Sequence, residues 1–219
     1  NIYPVGTDAI ANESFHPFIT TKINDEYRIR FREPLTSSDG LYAQEFRFNE
    51  EAHQFEAINN PEITITGPNP NTFFTTGMEV NRKEWRLYPT YEMSDKVKTL
   101  YDNARTNASS KGTTVNYLSF KVDNDNNLIL NIRYRTKTQA TVSYDFTKSS
   151  DDNGLTLGYT GPSNDGAQNF INSLPEVGTL IKAMAGQFKV EAAESPFNLT
   201  RLKVISTSDP DFWFTVTLY

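Results

Sequence analysis

Apolar residues fall on alternate positions in several short stretches, the period of a strand with one buried face. From Tyr27 to Phe31 the apolar set is Tyr27, Ile29 and Phe31, with Arg28, Arg30 and Arg32 between them, so the arginines are expected to face water. A loop is expected over Pro34 to Gly40. After it Tyr42, Phe46 and Phe48 keep the same parity, Phe55 and Ala57 continue it beyond a polar corner at Asn49 to Glu51, and Ile63 with Ile65 makes a further short strand. This pattern predicts an antiparallel meander. It ends at Gly67-Pro68-Asn69-Pro70, whose prolines cannot donate to a sheet ladder and therefore mark a surface loop.

The period changes near Ser94. Val97, Leu100, Tyr101, Ala104 and Ala108 recur at helical spacing behind Ser94, a good N-cap, with Asp95 well placed against the helix dipole, so one amphipathic helix is expected near 94–109. Three strands should follow, Tyr117 to Val122, Leu128 to Tyr134 and Ala140 to Phe146. Asp152-Asn153-Gly154 then reads as a tight hairpin feeding Leu155, Leu157 and Tyr159. Two short helices are expected near 166–185, the first stopped by Pro175 and the second by Gly186. Strand signals at Phe188 and Val190, Leu202 and Val204, and Phe212 to Leu218 close the chain. The expected fold is α+β, predominantly antiparallel β, as a sandwich or a barrel that leaves no long hydrophobic edge open.

The 219 residues are read as a single β-rich domain spanning 1–219, long enough to bury a core without staples. Aromatic residues, 13% of the chain, are expected to carry that core. The formal charge is −6 and the basic residues are scattered, so nucleic acid is not an expected partner. No apolar run approaches the roughly 18 residues a transmembrane helix needs. Cysteine is absent, which excludes disulfides, thiol catalysis and iron–sulfur ligation.

Motifs with catalytic spacing are missing: there is no HExxH, GxSxG, GxxxxGK[ST] or GxGxxG. The two histidines, His16 and His53, read as turn or surface residues rather than general bases. Asp123, Asp125 and Asn127 open like a calcium loop, but Leu128 stands where that loop needs glycine and Tyr134 where it needs a carboxylate, so a solvated hairpin turn is expected and no metal or cofactor. A glycosidase pair could be drawn from Glu45, Glu50, Glu51, Glu79, Glu84 or Asp95, provided two of them stand roughly 5 to 9.5 Å apart. Asn12-Glu-Ser14, Asn107-Ala-Ser109 and Asn198-Leu-Thr200 match the N-glycosylation pattern, which arises readily by chance in an Asn- and Thr-rich chain. Trp213 is expected under a covering loop or on an exposed face. Trp85, Tyr88 and Tyr91 lie in a polar stretch between the first sheet and the helix, where a loop could offer flat apolar faces to a sugar ring or a protein partner.

Two stretches carry a resemblance to a known family. One runs from Pro17-Phe18-Ile19-Thr20 through Ile29-Arg30-Phe31-Arg32-Glu33-Pro34-Leu35 to Glu45-Phe46-Arg47-Phe48. The other runs from Gly186-Gln187-Phe188-Lys189-Val190 through Pro196-Phe197-Asn198-Leu199-Thr200 to Asp209-Pro210-Asp211-Phe212-Trp213-Phe214. In these the chain resembles cell-envelope lipoproteins of gut Bacteroidetes, a family without assigned activity that is often found near starch-utilisation-type glycan uptake systems. The resemblance implies the C-terminal portion of a longer, exported protein, tethered through an upstream lipidated segment to the outer membrane and facing the periplasm or the cell surface. It supplies no catalytic residues. The expected function is a non-catalytic envelope accessory module that binds a glycan or an envelope protein partner, with Trp85, Tyr88 and Tyr91 as its ligand-binding residues. A glycan hydrolase using a carboxylate pair, or a purely structural domain, is the alternative.

Overall fold

The structure is a computed structural model that describes residues 18–36, 42–60, 62–151 and 153–219. His16, the Asn12-Glu-Ser14 tripeptide and Asp152 of the expected hairpin lie outside the described residues. The chain forms two compact units. The first holds the described residues up to Asn69 together with Glu194–Leu199, and the second holds Pro70–Ala193 and Thr200–Tyr219, a partition that periodicity alone did not draw.

The first unit is a five-stranded antiparallel meander of β1 (Phe18–Ile23), β2 (Glu26–Thr36), β3 (Tyr42–Asn49), β4 (Gln54–Ala57) and β5 (Thr64–Thr66), in that order. The alternation works as expected: Ile29, Phe31, Phe46, Phe55 and Ile65 are buried on one face, whereas Arg30 and Glu45 pair across the other at 3.7 Å. Phe197 covers the apolar face, with its ring stacked on Phe55 at 4.7 Å and tilted against Phe18 at 5.5 Å. Strand β2 continues through Thr36, past the Pro34 at which a loop is expected, and residues 37–41 of that loop lie outside the described residues. Pro34 is tolerated there because the β2–β3 register shifts between Arg30 and Leu35, where a missing N–H donor costs little. The His53 ring meets the Pro68 carbonyl and lies edge-on to Phe48, and the residue has φ 52°, so it serves a turn.

The second unit is a closed, all-antiparallel barrel. Its eight strands are β6 (Glu84–Leu87), β7 (Thr114–Val122), β8 (Leu128–Arg135), β9 (Gln139–Asp151), β10 (Gly154–Pro162), β11 (Gly186–Ala192), β12 (Arg201–Ser206) and β13 (Trp213–Leu218). The ring runs β10-β11-β12-β13-β6-β7-β8-β9; its neighbours are consecutive strands except β13 and β6, whose pairing closes it. This resolves the choice between sandwich and barrel. In the tight hairpin that joins β9 and β10, Gly154 pairs with Asp151 as the first residue of β10, and Asn153 N–H donates to Asp151 Oδ1 at 2.8 Å. Trp85, Leu118, Phe120, Leu130, Tyr144, Phe188, Val204 and Phe214 are buried along alternate positions of successive strands, which is the filled interior of a small barrel.

Four helices occur among the described residues: α1 (Pro70–Asn81), α2 (Asp95–Ser110), α3 (Asp165–Ser173) and α4 (Pro175–Ala183). The last three match the expected helices. Ser94 caps α2 by accepting from Val97 N–H, Asn164 caps α3 by accepting from Ala167 N–H at 2.9 Å, and Pro175 opens α4. Gly186, expected to end the second short helix, instead begins β11 with φ 141°. Helix α1 has no counterpart in the sequence expectation, and strand β6 falls in the stretch read as loop. Asn, Thr and Gly make α1 a poor helix in isolation, but Phe74 and Met78, one turn apart and fully buried, bind it to the barrel wall. It touches β6, β7, β9, β10 and β11. Asn71 Oδ1 accepts from Val190 N–H at 2.7 Å, and Glu79 forms an ion pair with Lys148, which follows the inward parity of β9. Desolvation pushes the Lys148 ammonium pKa down.

Two outcomes follow for stability. Phe120 packs against Phe74 at 5.6 Å and Phe146 at 6.2 Å, so Phe120→Ala should lower the unfolding free energy of the barrel by roughly 3–5 kcal/mol in urea denaturation. Glu79→Gln should also destabilise, because it leaves the Lys148 charge half-buried and uncompensated, and the double variant Glu79→Leu with Lys148→Met should recover stability. A double variant no more stable than Glu79→Gln would contradict that reading.

Candidate functional site

The tyrosines of the 88–91 turn sit at a seam in the barrel. Strand β6 pairs with β13 through Thr217↔Arg86 and Leu218↔Trp85, and the chain returns to β13 at Met93↔Phe214. Between these anchor points it makes a turn, with Tyr91 N–H donating to the Tyr88 carbonyl at 3.1 Å. Thr215 then holds the far end, its N–H and hydroxyl both donating to the Glu92 carbonyl, at 3.1 and 2.7 Å. The turn is pinned at both ends to one strand, which fixes where its rings lie.

Trp85 is not among those rings, and the expectation that it binds ligand is corrected here. It is fully buried on the inward face of β6, stacked on Phe74 at 5.8 Å, and its Nε1–H donates to the Phe74 carbonyl at 3.1 Å. Strand parity is the cause: Trp85 and Leu87 point in, so Glu84, Arg86 and Tyr88 point out.

The outward set collects two further tyrosines. The Tyr88 ring lies 5.2 Å from Tyr91, 4.9 Å from Tyr117 on β7 and 6.1 Å from Tyr219, which follows β13. Tyr91 and Tyr219 share a hydrogen bond between their hydroxyls at 3.0 Å. Arg86 organises the group. Its guanidinium lies over the Tyr117 ring at 4.5 Å and the Tyr219 ring at 4.3 Å, donates to the Tyr88 hydroxyl at 3.0 Å, and forms an ion pair with Glu84. Tyr88, Tyr91 and Tyr117 are half-exposed and Tyr219 is 48% exposed, so the rings form a stiffened aromatic platform open to solvent.

Two of the hydroxyls, those of Tyr117 and Tyr219, are held in the neutral form. Burial pushes the Tyr117 hydroxyl pKa up, against the lowering effect of Arg86. The hydrogen bond to Tyr91 raises that of Tyr219, with burial adding to it. Arg86 loses hydration, but Glu84 and Tyr88 more than restore its charged form and leave its pKa raised. The arrangement can stack a flat ring and offer hydroxyl groups and a fixed cation. Its one carboxylate, Glu84, is committed to Arg86.

The other acids named from the sequence are engaged elsewhere. Glu45 faces Arg30, Glu79 faces Lys148, Asp95 occupies the first turn of α2, and Glu50 and Glu51 lie exposed beside the β3–β4 turn. Asp123 Oδ1 accepts from Asp125 and Asn127 N–H at 2.9 and 2.8 Å, closing the β7–β8 hairpin as the sequence suggested. No cluster of three or more potential metal ligands occurs among the described residues. Trp213 is half-buried under the Lys203 ammonium, 4.2 Å from its ring. Among the described residues no helix is long and apolar enough to cross a membrane.

Tyr117, Tyr219 and Arg86 were missed from the sequence, although the signal was present. Tyr219 extends the outward parity of Trp213, Thr215 and Thr217, and Tyr117 has the parity opposite Leu118 and Phe120. Alkaline titration checks the geometry. Tyr219 and Tyr117 should form phenolate, followed by ultraviolet absorbance, above the ordinary tyrosine value of 10.0, and Tyr91→Phe should move Tyr219 back toward it. Because both folded-state pKa values are raised, their contribution to stability is present below the unfolded value and is lost as pH rises through the folded one. Compared with known proteins, the chain matches no family model, no curated protein and no solved structure.

Proposed function

We propose that the chain is a non-catalytic binding module of the cell envelope that takes up a glycan on the platform around Arg86. The observation that carries this reading is the guanidinium held 4.5 and 4.3 Å from two tyrosine rings while hydrogen-bonded to the hydroxyl of a third. An arginine fixed in this way keeps aromatic faces and hydroxyl groups ordered before a ligand arrives, which lowers the entropic cost of binding. Sugar rings present C–H faces that stack on tyrosine and hydroxyls that meet its oxygen.

A surface of a partner protein is the second reading, favoured by the same composition, since tyrosine and arginine dominate protein hot spots. The envelope setting and the outer-membrane tether rest on the resemblance of the two end stretches. Of the acids named for the hydrolase alternative, Glu45, Glu79 and Glu84 each face a cation.

A glycan array followed by titration calorimetry tests the reading. The double variant Tyr88→Ala, Tyr91→Ala should weaken binding to an array hit by about tenfold or more while preserving the barrel's melting transition. Unchanged affinity in that variant would remove the platform as the site.

A further inference from the structure

A cavity of about 620 Å³ opens on the outside of the barrel, between the β7–β8 hairpin and the end of β10. Its lining carries two carboxylates, Asp123 and Asp145, two amides, Asn127 and Asn164, and hydroxyls that include Ser143 and Ser163. A β-bulge between Tyr159 and Gly161 builds the wall. Gly161, at φ 138°, turns the strand so that Thr160 Oγ1 donates to the Asp145 carbonyl at 2.9 Å and Ser163 Oγ to Asp145 Oδ1 at 2.6 Å. Among the described residues neither Asp123 nor Asp145 forms an ion pair, and the hydrogen bonds to each carboxylate engage Oδ1. The second oxygen of each carboxylate is left to accept from a ligand.

This cavity and the tyrosine platform lie on one ladder of outward residues. Thr217 pairs with Arg86, Arg86 with Ser119, Ser119 with Asn131 and Asn131 with Ser143, on five successive strands, and of these Ser119 is outward by parity but buried. Ser143 lines the cavity and donates to Asn131 Oδ1 at 2.7 Å. The neighbouring row is polar as well, since Tyr117 pairs with Arg133, which donates to Thr141 Oγ1 at 3.0 Å. Strands lie about 4.8 Å apart, so the step from Arg86 to Ser143 spans about 14 Å, more than a single sugar ring covers.

We infer that the ligand is an extended oligosaccharide lying across β6, β7, β8 and β9, one end stacked on the tyrosine platform and the other hydrogen-bonded in the Asp123–Asp145 cavity. The inference rests on the glycan reading above and adds length and direction to it. Paired carboxylate acceptors beside amide donors and hydroxyls match the vicinal hydroxyl groups of a sugar. The aromatic end supplies stacking that the cavity lacks.

The test uses cello-, xylo- and manno-oligosaccharides from monosaccharide to hexasaccharide, titrated calorimetrically into the 219-residue chain. Affinity should rise with length until both ends are reached, and Asp145→Asn should weaken hexasaccharide binding by about tenfold or more while leaving disaccharide binding on the platform unchanged. Asn127→Ala, an exposed turn residue, provides a second variant with the same expected pattern should Asp145→Asn unfold; melting curves check both. Equal hexasaccharide affinity in both folded variants, with binding still lost in the Tyr88, Tyr91 double variant, would overturn this inference and leave the platform reading standing. Hexasaccharide binding abolished by a chelator would also overturn it, assigning the carboxylates to a divalent cation instead. No binding of any length, or binding indifferent to the tyrosines, would defeat the platform reading and this inference with it.

Discussion

Closure of the barrel is the constraint on which the rest depends. Once β13 pairs with β6, through Thr217↔Arg86 and Leu218↔Trp85, no strand of the ring has a free edge, and every residue must face either the interior or the outer wall. Period-2 alternation then sorts the side chains. Trp85, Phe120, Tyr144, Phe188 and Phe214 go inside, where volume and hydrogen-bond satisfaction matter, and Arg86, Tyr117 and Ser143 go outside, where they are free to meet a ligand. The buried polar atoms among the aromatics obey the same logic. Trp85 Nε1–H donates to Phe74, Tyr101 hydroxyl to Leu87 and Tyr144 hydroxyl to Ala167, each through a backbone carbonyl. Burial raises the Tyr101 and Tyr144 hydroxyl pKa values, which keeps them neutral donors.

The outer wall is therefore as ordered as the interior. The Arg86 backbone is fixed by its ladder partners, Thr217 and Ser119, and its guanidinium by Glu84 and the Tyr88 hydroxyl, so the tyrosines around it inherit the rigidity of three paired strands. The 88–91 turn adds two rings without a mobile loop, because the chain rejoins β13 within a few residues. A platform built in this way needs little ordering when a ligand binds. This is the link between the topology and the proposed role.

Much of the fold was legible in the residues. Ser94, Asn164 and Pro175 mark helix starts by local chemistry, and the alternation of Ile29, Phe31, Leu130 and Ile132 marks strands with one dry face. What escaped was set by distant contacts. Helix α1 has weak intrinsic propensity and is stabilised by Phe74 and Met78 against strands far along the chain, and β6 is four residues long with two charges on its outer face. Barrel and sandwich differ only in whether β13, at the end of the chain, pairs with the distant β6, and no local pattern records that. At the site, Tyr88 and Tyr91 were legible as aromatics in a polar stretch. Trp85 was misplaced because the stretch was read as loop; as a strand, its alternation with Glu84 and Arg86 puts the indole inside.

The most direct measurement of the central claim is chemical-shift mapping by nuclear magnetic resonance, with a glycan hit titrated into the labelled chain. The account expects shifts at the backbone and ring signals of Tyr88, Tyr91, Tyr117 and Tyr219, with the buried Leu87 and Val216 methyl signals nearly still. Shifts centred on the interior methyls, or confined to the five-stranded sheet of the first unit, would contradict it.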